Sequence, residues 1–118
     1  MKELYWIGSS KEDLIKLPND VKNTFGYGLY LAQLGEKYYN SKVLKGFGSA
    51  DIVELIDKDT SGTYRAIYTT KIKNAIYVLH VFQKKSKQGI ATPKKDIDLV
   101  ETRLKHVLEI NKLKKETI

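Results

Sequence analysis

The chain of 118 residues contains no cysteine, which rules out disulfides, thiolate metal ligands and cysteine nucleophiles. Histidine is nearly as scarce. Only His80 and His106 occur, and neither belongs to a cluster with metal-ligand spacing. No apolar run approaches the roughly 20 residues that span a bilayer. Met1–Gly8 lacks the basic start and long apolar stretch of a signal peptide. A cytoplasmic location without a membrane partner is therefore expected. Gly26-Tyr27-Gly28 and Gly46-Phe47-Gly48 have neither the spacing nor the Lys-Ser/Thr ending of a phosphate-binding glycine loop. No pair of carboxylates stands out for glycosidase or two-metal nuclease chemistry, and the acidic residues fall mainly in turns and helix starts, where they are usually structural. Neither a metal nor another cofactor is expected.

Acid is also in deficit: 14 Asp+Glu stand against 21 Lys+Arg, a net charge of +7. Such a surplus favours polyanionic partners, because each neutralised phosphate releases condensed counterions. Its distribution is uneven. Lys84, Lys85, Lys87, Lys94 and Lys95 lie in a stretch without acid, whereas residues 51–59 hold Asp51, Glu54, Asp57 and Asp59. Hydrophobic residues make up 42% of the chain, enough for one core, and a single domain over 1–118 is expected.

Leu4-Tyr5-Trp6-Ile7 is a short β-prone run ending at Gly8. Ser9-Ser10 followed by Glu12 and Asp13 signals a helix start. Pro18 ends that helix and suits the first turn of the next. Val21, Phe25, Leu29 and Ala32 recur at helical spacing, and Gly35 is a natural helix stop. Gly26 and Gly28 argue against this helix, each costing roughly 1 kcal/mol relative to Ala. Residues 37–48 read as a loop. Three strands are expected next: 52–57, 63–71 and 75–83, joined by turns at 58–62 and Lys73-Asn74. In the last strand Ile76, Val78, His80 and Phe82 are expected on one face, and Tyr77, Leu79 and Val81 on the other. Both sets are largely apolar, which places this strand centrally with both faces covered. Thr92-Pro93 combines an N-cap with a first-turn proline, and a helix follows to about Lys114 with Lys94, Lys95, Arg103 and Lys105 facing outward. The order β-α-α-β-β-β-α predicts an α+β domain, with two N-terminal helices packed on a mostly antiparallel twisted sheet and a C-terminal helix.

The chemically versatile groups that remain are cationic, phenolic and imidazole: Arg65, Lys84, Lys85, Tyr64, Tyr68 and His80. RNA can be cleaved with these alone. Its 2′-OH is a built-in nucleophile, so alignment, proton transfer and stabilisation of the charged phosphorane suffice. A guanidinium suits the bidentate phosphate clamp, and a lysine crowded by other cations has a lowered pKa suited to proton transfer. Each residue also has an ordinary structural role open to it. Arg65 fits an ion pair, His80 a satisfied core histidine, Lys84-Lys85 solvated charge, and the tyrosines cross-strand packing.

The segments Tyr64-Arg65-Ala66-Ile67-Tyr68, Tyr77 to Ser86, Gly89-Ile90-Ala91-Thr92-Pro93 and Arg103-Leu104-Lys105 resemble the phage-derived toxin-like branch of the RelE/HigB superfamily. So do Tyr30 to Gly35, Leu44 to Gly48, and Glu54 in the first central strand. The resemblance implies the RelE-like microbial RNase fold. It also implies an mRNA endonuclease toxin, usually ribosome-associated, which is held inactive by a helix-turn-helix antitoxin from the adjacent gene. On this basis Arg65, Lys84 and His80 are the catalytic candidates: Arg65 on phosphate, Lys84 at the basic position ending the last strand, and His80 for proton transfer. Lys45, Lys85, Lys87 and Tyr68 are the RNA-binding candidates. Two departures stand out. Many relatives have Glu-Leu-Arg in the first central strand where this chain has Glu54-Leu55-Ile56, and no tyrosine follows the last helix. They motivate an alternative, a catalytically weakened nucleic-acid-binding module acting with an antitoxin at an operator. A purely structural adaptor is a third possibility.

Overall fold

The computed structural model describes residues 1–84 and 91–116. Eight elements follow in the order β1 (Leu4–Trp6), α1 (Ser10–Ile15), α2 (Asn19–Gln33), β2 (Ser41–Val43), β3 (Ile52–Asp59), β4 (Gly62–Ile72), β5 (Ala75–Lys84) and α3 (Lys94–Glu116). The strands form one mixed sheet ordered β1-β5-β4-β3-β2, with β1 parallel to β5 and the other neighbours antiparallel. The architecture is α+β, as the residue pattern predicts. Among the described residues no helix is long and apolar enough to cross a membrane.

The apolar stripe of α2 behaves as its spacing demands. Val21, Phe25, Leu29 and Ala32 are buried against Val53, Leu55, Tyr68, Ile76 and Val78 of the sheet. Gly28 lies on the same stripe, and a Cβ there would stand 2.8 Å from Leu55 Cδ1. The glycine that weakens the helix by propensity is thus a point of close approach between helix and sheet. The helix stops in a Schellman turn at Gly35 (φ +84), where the Glu36 N–H donates to Leu31 O at 2.9 Å and the Gly35 N–H to Ala32 O at 3.0 Å. On the opposite sheet face α3 buries Val100, Leu104 and Val107 against Ile52, Ile67, Tyr77 and Leu79. Between β1 and β4, β5 is therefore covered on both sides.

Four details differ from the sequence pattern. Residues 41–43 form the edge strand β2 inside the expected loop. It is three residues long and held by register with β3, together with the Leu44 N–H donating to Ile52 O at 2.8 Å, so no periodic signal could announce it. The β3–β4 hairpin turns tightly at Thr60-Ser61, because Asp59 still pairs with Gly62. In β5 the simple alternation breaks. Ile67 pairs with His80 but Tyr68 with Val78, which leaves Leu79 as an extra, bulged residue. Beyond the bulge Val81 joins Ile76 and Val78 on the α2 face, while His80 and Phe82 turn to the α3 side. Finally, Arg103 does not face outward. Its guanidinium reaches back to donate to Leu79 O at 2.8 Å and Ser9 Oγ at 3.1 Å, tying α3 to the bulge and to the start of α1.

Candidate functional site

Alternation along β3, β4 and β5 places a set of polar side chains on the α3 face of the sheet. Cross-strand register builds it in rows. Glu54, Ile67 and His80 form one, Ile56, Arg65 and Phe82 the next, and Lys58, Thr63 and Lys84 the last. From the edge strand, Lys42 stands opposite Glu54.

Glu54 is the hub. Its side chain is 0% exposed, and Arg65 Nη1 donates to Oε1 at 2.7 Å from a residue only 4% exposed. Lys42 Nζ lies 3.5 Å from the same oxygen, and Thr92 Oγ1 donates to Oε2 at 2.7 Å. Thr92, read from sequence as a helix cap, spends its hydroxyl here instead. A carboxylate this deeply buried is tolerated because cations and a hydroxyl satisfy both oxygens. Lys84, 7% exposed, sits beside the cluster. Its pKa is lowered, first by desolvation and then by the nearby charges of Arg65 and Lys42, with Lys58 adding to the effect and Glu54 opposing it. Arg65 and Lys42 thus share one carboxylate, with Lys84 close enough to feel all three charges. The surplus of positive charge leaves the cluster suited to an anion.

Of the described residues singled out by sequence, Arg65 and Lys84 come together, and Lys45, Tyr68 and His80 do not join them. Lys45 is exposed in the loop after β2, lining a cavity of about 510 Å³ with Asp51 and Lys71. That loop joins β3 at Ile52, four residues from Ile56, which separates it from the Arg65 row by about 14 Å along the strand. Tyr68 is a correction. It is 1% exposed on the α2 face, packed in the core with its phenol pushed up to about 12 by burial and by Asp51, so it cannot touch RNA there. Lys85 and Lys87 lie outside the described residues.

His80 is likewise set apart. Its Nε2–H donates to Asp96 Oδ1 at 2.8 Å, and its ring stacks on Phe82 with centroids 4.6 Å apart. Burial lowers its pKa more than the Asp96 hydrogen bond raises it, so the imidazole is neutral near pH 7. In its described contacts His80 clamps the first turn of α3 onto β5. The residue not singled out for the site by sequence reasoning is Glu54. Its signal was an acid in the middle of the apolar run Ile52 to Ile56, where a charge is stable only with buried partners. No three His, Asp or Glu side chains gather as a metal-binding set among the described residues.

Comparison with known proteins adds one finding. No curated protein and no solved structure matches the chain. The family model described as phage derived protein Gp49-like (DUF891) matches residues 12–105, which include every element from within α1 to the middle of α3 and all the residues of the cationic cluster. The chain belongs to the Gp49-like phage-derived protein family, a toxin-like family.

Proposed function

We propose that the protein is the toxin of a type II toxin–antitoxin system and a metal-independent RNA endonuclease of RelE/HigB type, built as one RelE-like domain over residues 1–118. The observation that carries this reading is the buried Arg65–Lys84 pair on the α3 face of the sheet, where Arg65 and Lys42 meet the carboxylate of Glu54. Arg65 clamps the non-bridging oxygens of the scissile phosphate, with its orientation held by Glu54. Lys84, whose lowered pKa makes the uncharged amine accessible, takes the proton of the 2′-OH as the 2′-oxygen attacks phosphorus. The bond to the 5′-oxygen breaks, that oxygen takes a proton from water, and a 2′,3′-cyclic phosphate remains. Arg65 and Lys42 stabilise the extra negative charge of the phosphorane.

Family membership supports an antitoxin partner in general. A helix-turn-helix antitoxin encoded by the adjacent gene, ribosome-bound mRNA as substrate and a cytoplasmic site of action complete the proposal. Inducing the chain should arrest growth and cut transcripts, and Arg65→Ala with Lys84→Ala should abolish both. A double variant that still cleaves RNA would show that the site lies elsewhere.

One observation favours a second reading. Arg65 already has Glu54 on Nη1, and Ile56 stands where an added cation would reinforce it. A site so balanced would bind nucleic acid with an antitoxin at an operator without cutting it. Salt-sensitive binding of operator DNA without any transcript cleavage would select this alternative.

A further inference from the structure

The outward face of α2 lacks what a solvent-facing helix normally carries. Residues 23–35 contain no charged side chain, in a chain of which 30% is charged. The stripe of Val21, Phe25, Leu29 and Ala32 faces the sheet, and the positions on the opposite side are Asp20, Asn23, Tyr27, Tyr30 and Leu34, all exposed. Tyr27 is 55% exposed, Tyr30 46% and Leu34 47%. Beside this seam Tyr38 stands edge-on to Tyr27 with centroids 6.3 Å apart, and it is tilted against Tyr39, which is 87% exposed. A helix packed on one side should be charged or polar on the other, so this uncharged, tyrosine-rich face is left unfinished by a single chain.

The spacing says what would finish it. Positions 20, 23, 27, 30 and 34 alternate steps of three and four, the interval at which one helix presents a seam to another. The seam reads the same in both directions about a centre between Gly28 and Leu29: Tyr27 mirrors Tyr30, and Asn23 mirrors Leu34. A second copy laid antiparallel across a two-fold axis at that centre brings Tyr27 of each chain against Tyr30 of the other, twice over. The ends match as well. Asp20 and Lys22 precede the uncharged run and Glu36 and Lys37 follow it, so each end sets acid beside base, and each helix N-terminus lies by the other's C-terminus. An unlike partner would need no such mirror. The net charge of +7, which elsewhere keeps copies apart, is absent from this seam. Aromatic side chains offer about 150–250 Å² each, so the exposed parts of Tyr27, Tyr30, Tyr39 and Leu34 come to about 450 Å² per chain. Two copies bury about 900 Å² from these alone, and exposed Asn19 and Asn23 carry the contact past the ~1,000 Å² that a specific interface needs.

We infer that the outer face of α2, with Tyr27 and Tyr30 at its centre and Tyr38 and Tyr39 beside it, is the interface of an antiparallel two-fold homodimer. The Arg65–Glu54 cluster lies on the opposite, α3 face of the sheet, so the contact covers neither copy's cluster. The dimer therefore does not depend on what that cluster binds or cleaves.

Sedimentation equilibrium of the purified full chain from about 1 to about 200 μM, the range of a modest interface, tests this. With rising concentration the parent should move from its 13.5 kDa monomer to twice that mass. Tyr30→Glu and Tyr27→Lys should each weaken dimerisation ~100-fold or more, because one substitution enters a two-fold interface twice and buries an unpaired charge there. Both side chains lie outside the core, so the far-UV circular dichroism of each variant should match the parent's. The chain carrying both substitutions should dimerise again, since the antiparallel register sets the new acid of one copy against the new base of the other. A parent that stays monomeric throughout overturns the dimer. If the purified product of the adjacent gene then binds the parent but not Tyr30→Glu, the face belongs to an antitoxin instead. A dimer that survives both single substitutions uses another face. A doubly substituted chain that is folded and still monomeric overturns the antiparallel register.

Discussion

Ile56 and Arg65 face each other directly across the β3–β4 ladder, and Phe82 completes their row on β5. An apolar side chain therefore stands beside the Arg65 guanidinium, the proposed phosphate contact. Ile56 is only partly buried, so a longer side chain can extend past it toward solvent. Ile56→Arg should tighten single-stranded RNA binding and steepen its log–log salt dependence by about 0.7, the increment for one more phosphate contact. Cleavage should accelerate in parallel. Tighter binding without faster cleavage would show that the cluster holds RNA without acting on it.

Glu54 determines whether this cluster is stable at all. Removing its carboxylate strips Arg65, in a position 4% exposed, of the counter-ion that lies 2.7 Å from its guanidinium. Breaking one side of a buried pair typically costs ~3–5 kcal/mol, and Glu54→Ala should lose that much in urea denaturation. Adding Arg65→Ala to that variant should recover part of the loss, because the buried positive charge goes with it. Losses that simply add would mean that Glu54 and Arg65 are energetically independent despite the 2.7 Å contact.

What the sequence revealed follows from what kind of signal each feature leaves. The α2 stripe of Val21, Phe25, Leu29 and Ala32 is periodic and local, and it is buried as its spacing requires. Arg65 and Lys84 were legible as charges near strands, and the structure adds that they meet. Three features are not local. The bulge at Leu79 is one extra residue whose effect appears only against the register of β4, and it turned His80 and Phe82 to the α3 side and Val81 away from it. Arg103 looked like one more outward cation, since nothing within α3 reveals that Leu79 O and Ser9 Oγ lie within its reach. Glu54 was visible as an oddity, an acid among Ile52, Val53, Leu55 and Ile56. Its partners come from β2, β4 and the stretch before α3, 12, 11 and 38 residues away.

His80 gives the fold a defined acid limit. Burial holds its folded pKa below the ordinary value of about 6.5, despite the opposing pull of Asp96. As pH falls, the unfolded chain therefore binds the proton first. The contribution is whole above about pH 6.5 and is lost as pH drops from there toward the folded pKa. Urea denaturation between pH 7.5 and 5 should show this loss, and His80→Gln should flatten it. A variant with the same slope as the parent over that range would exclude His80 as its source.

Gly26 and Gly28 lie two residues apart in α2 and should respond to alanine with opposite signs. At Gly26 a Cβ meets nothing within 4 Å, so Gly26→Ala should gain up to about 1 kcal/mol from helix propensity alone. At Gly28 the added methyl would lie 2.8 Å from Leu55 Cδ1 and 3.2 Å from Cδ2. Leu55 is fully buried and ends against the core that Phe25 and Leu29 fill, so it has little room to turn aside. Overpacking of this kind costs ~1–3 kcal/mol, which outweighs the propensity gain. Thermal melts should place Gly26→Ala above the parent and Gly28→Ala below it. Two shifts of the same sign would mean that α2 does not pack on Leu55 at the distance described. Combining Leu55→Ala with Gly28→Ala should then settle the matter. Truncating the leucine frees the space, so the glycine substitution should cost little in that background where Leu55 is the obstacle.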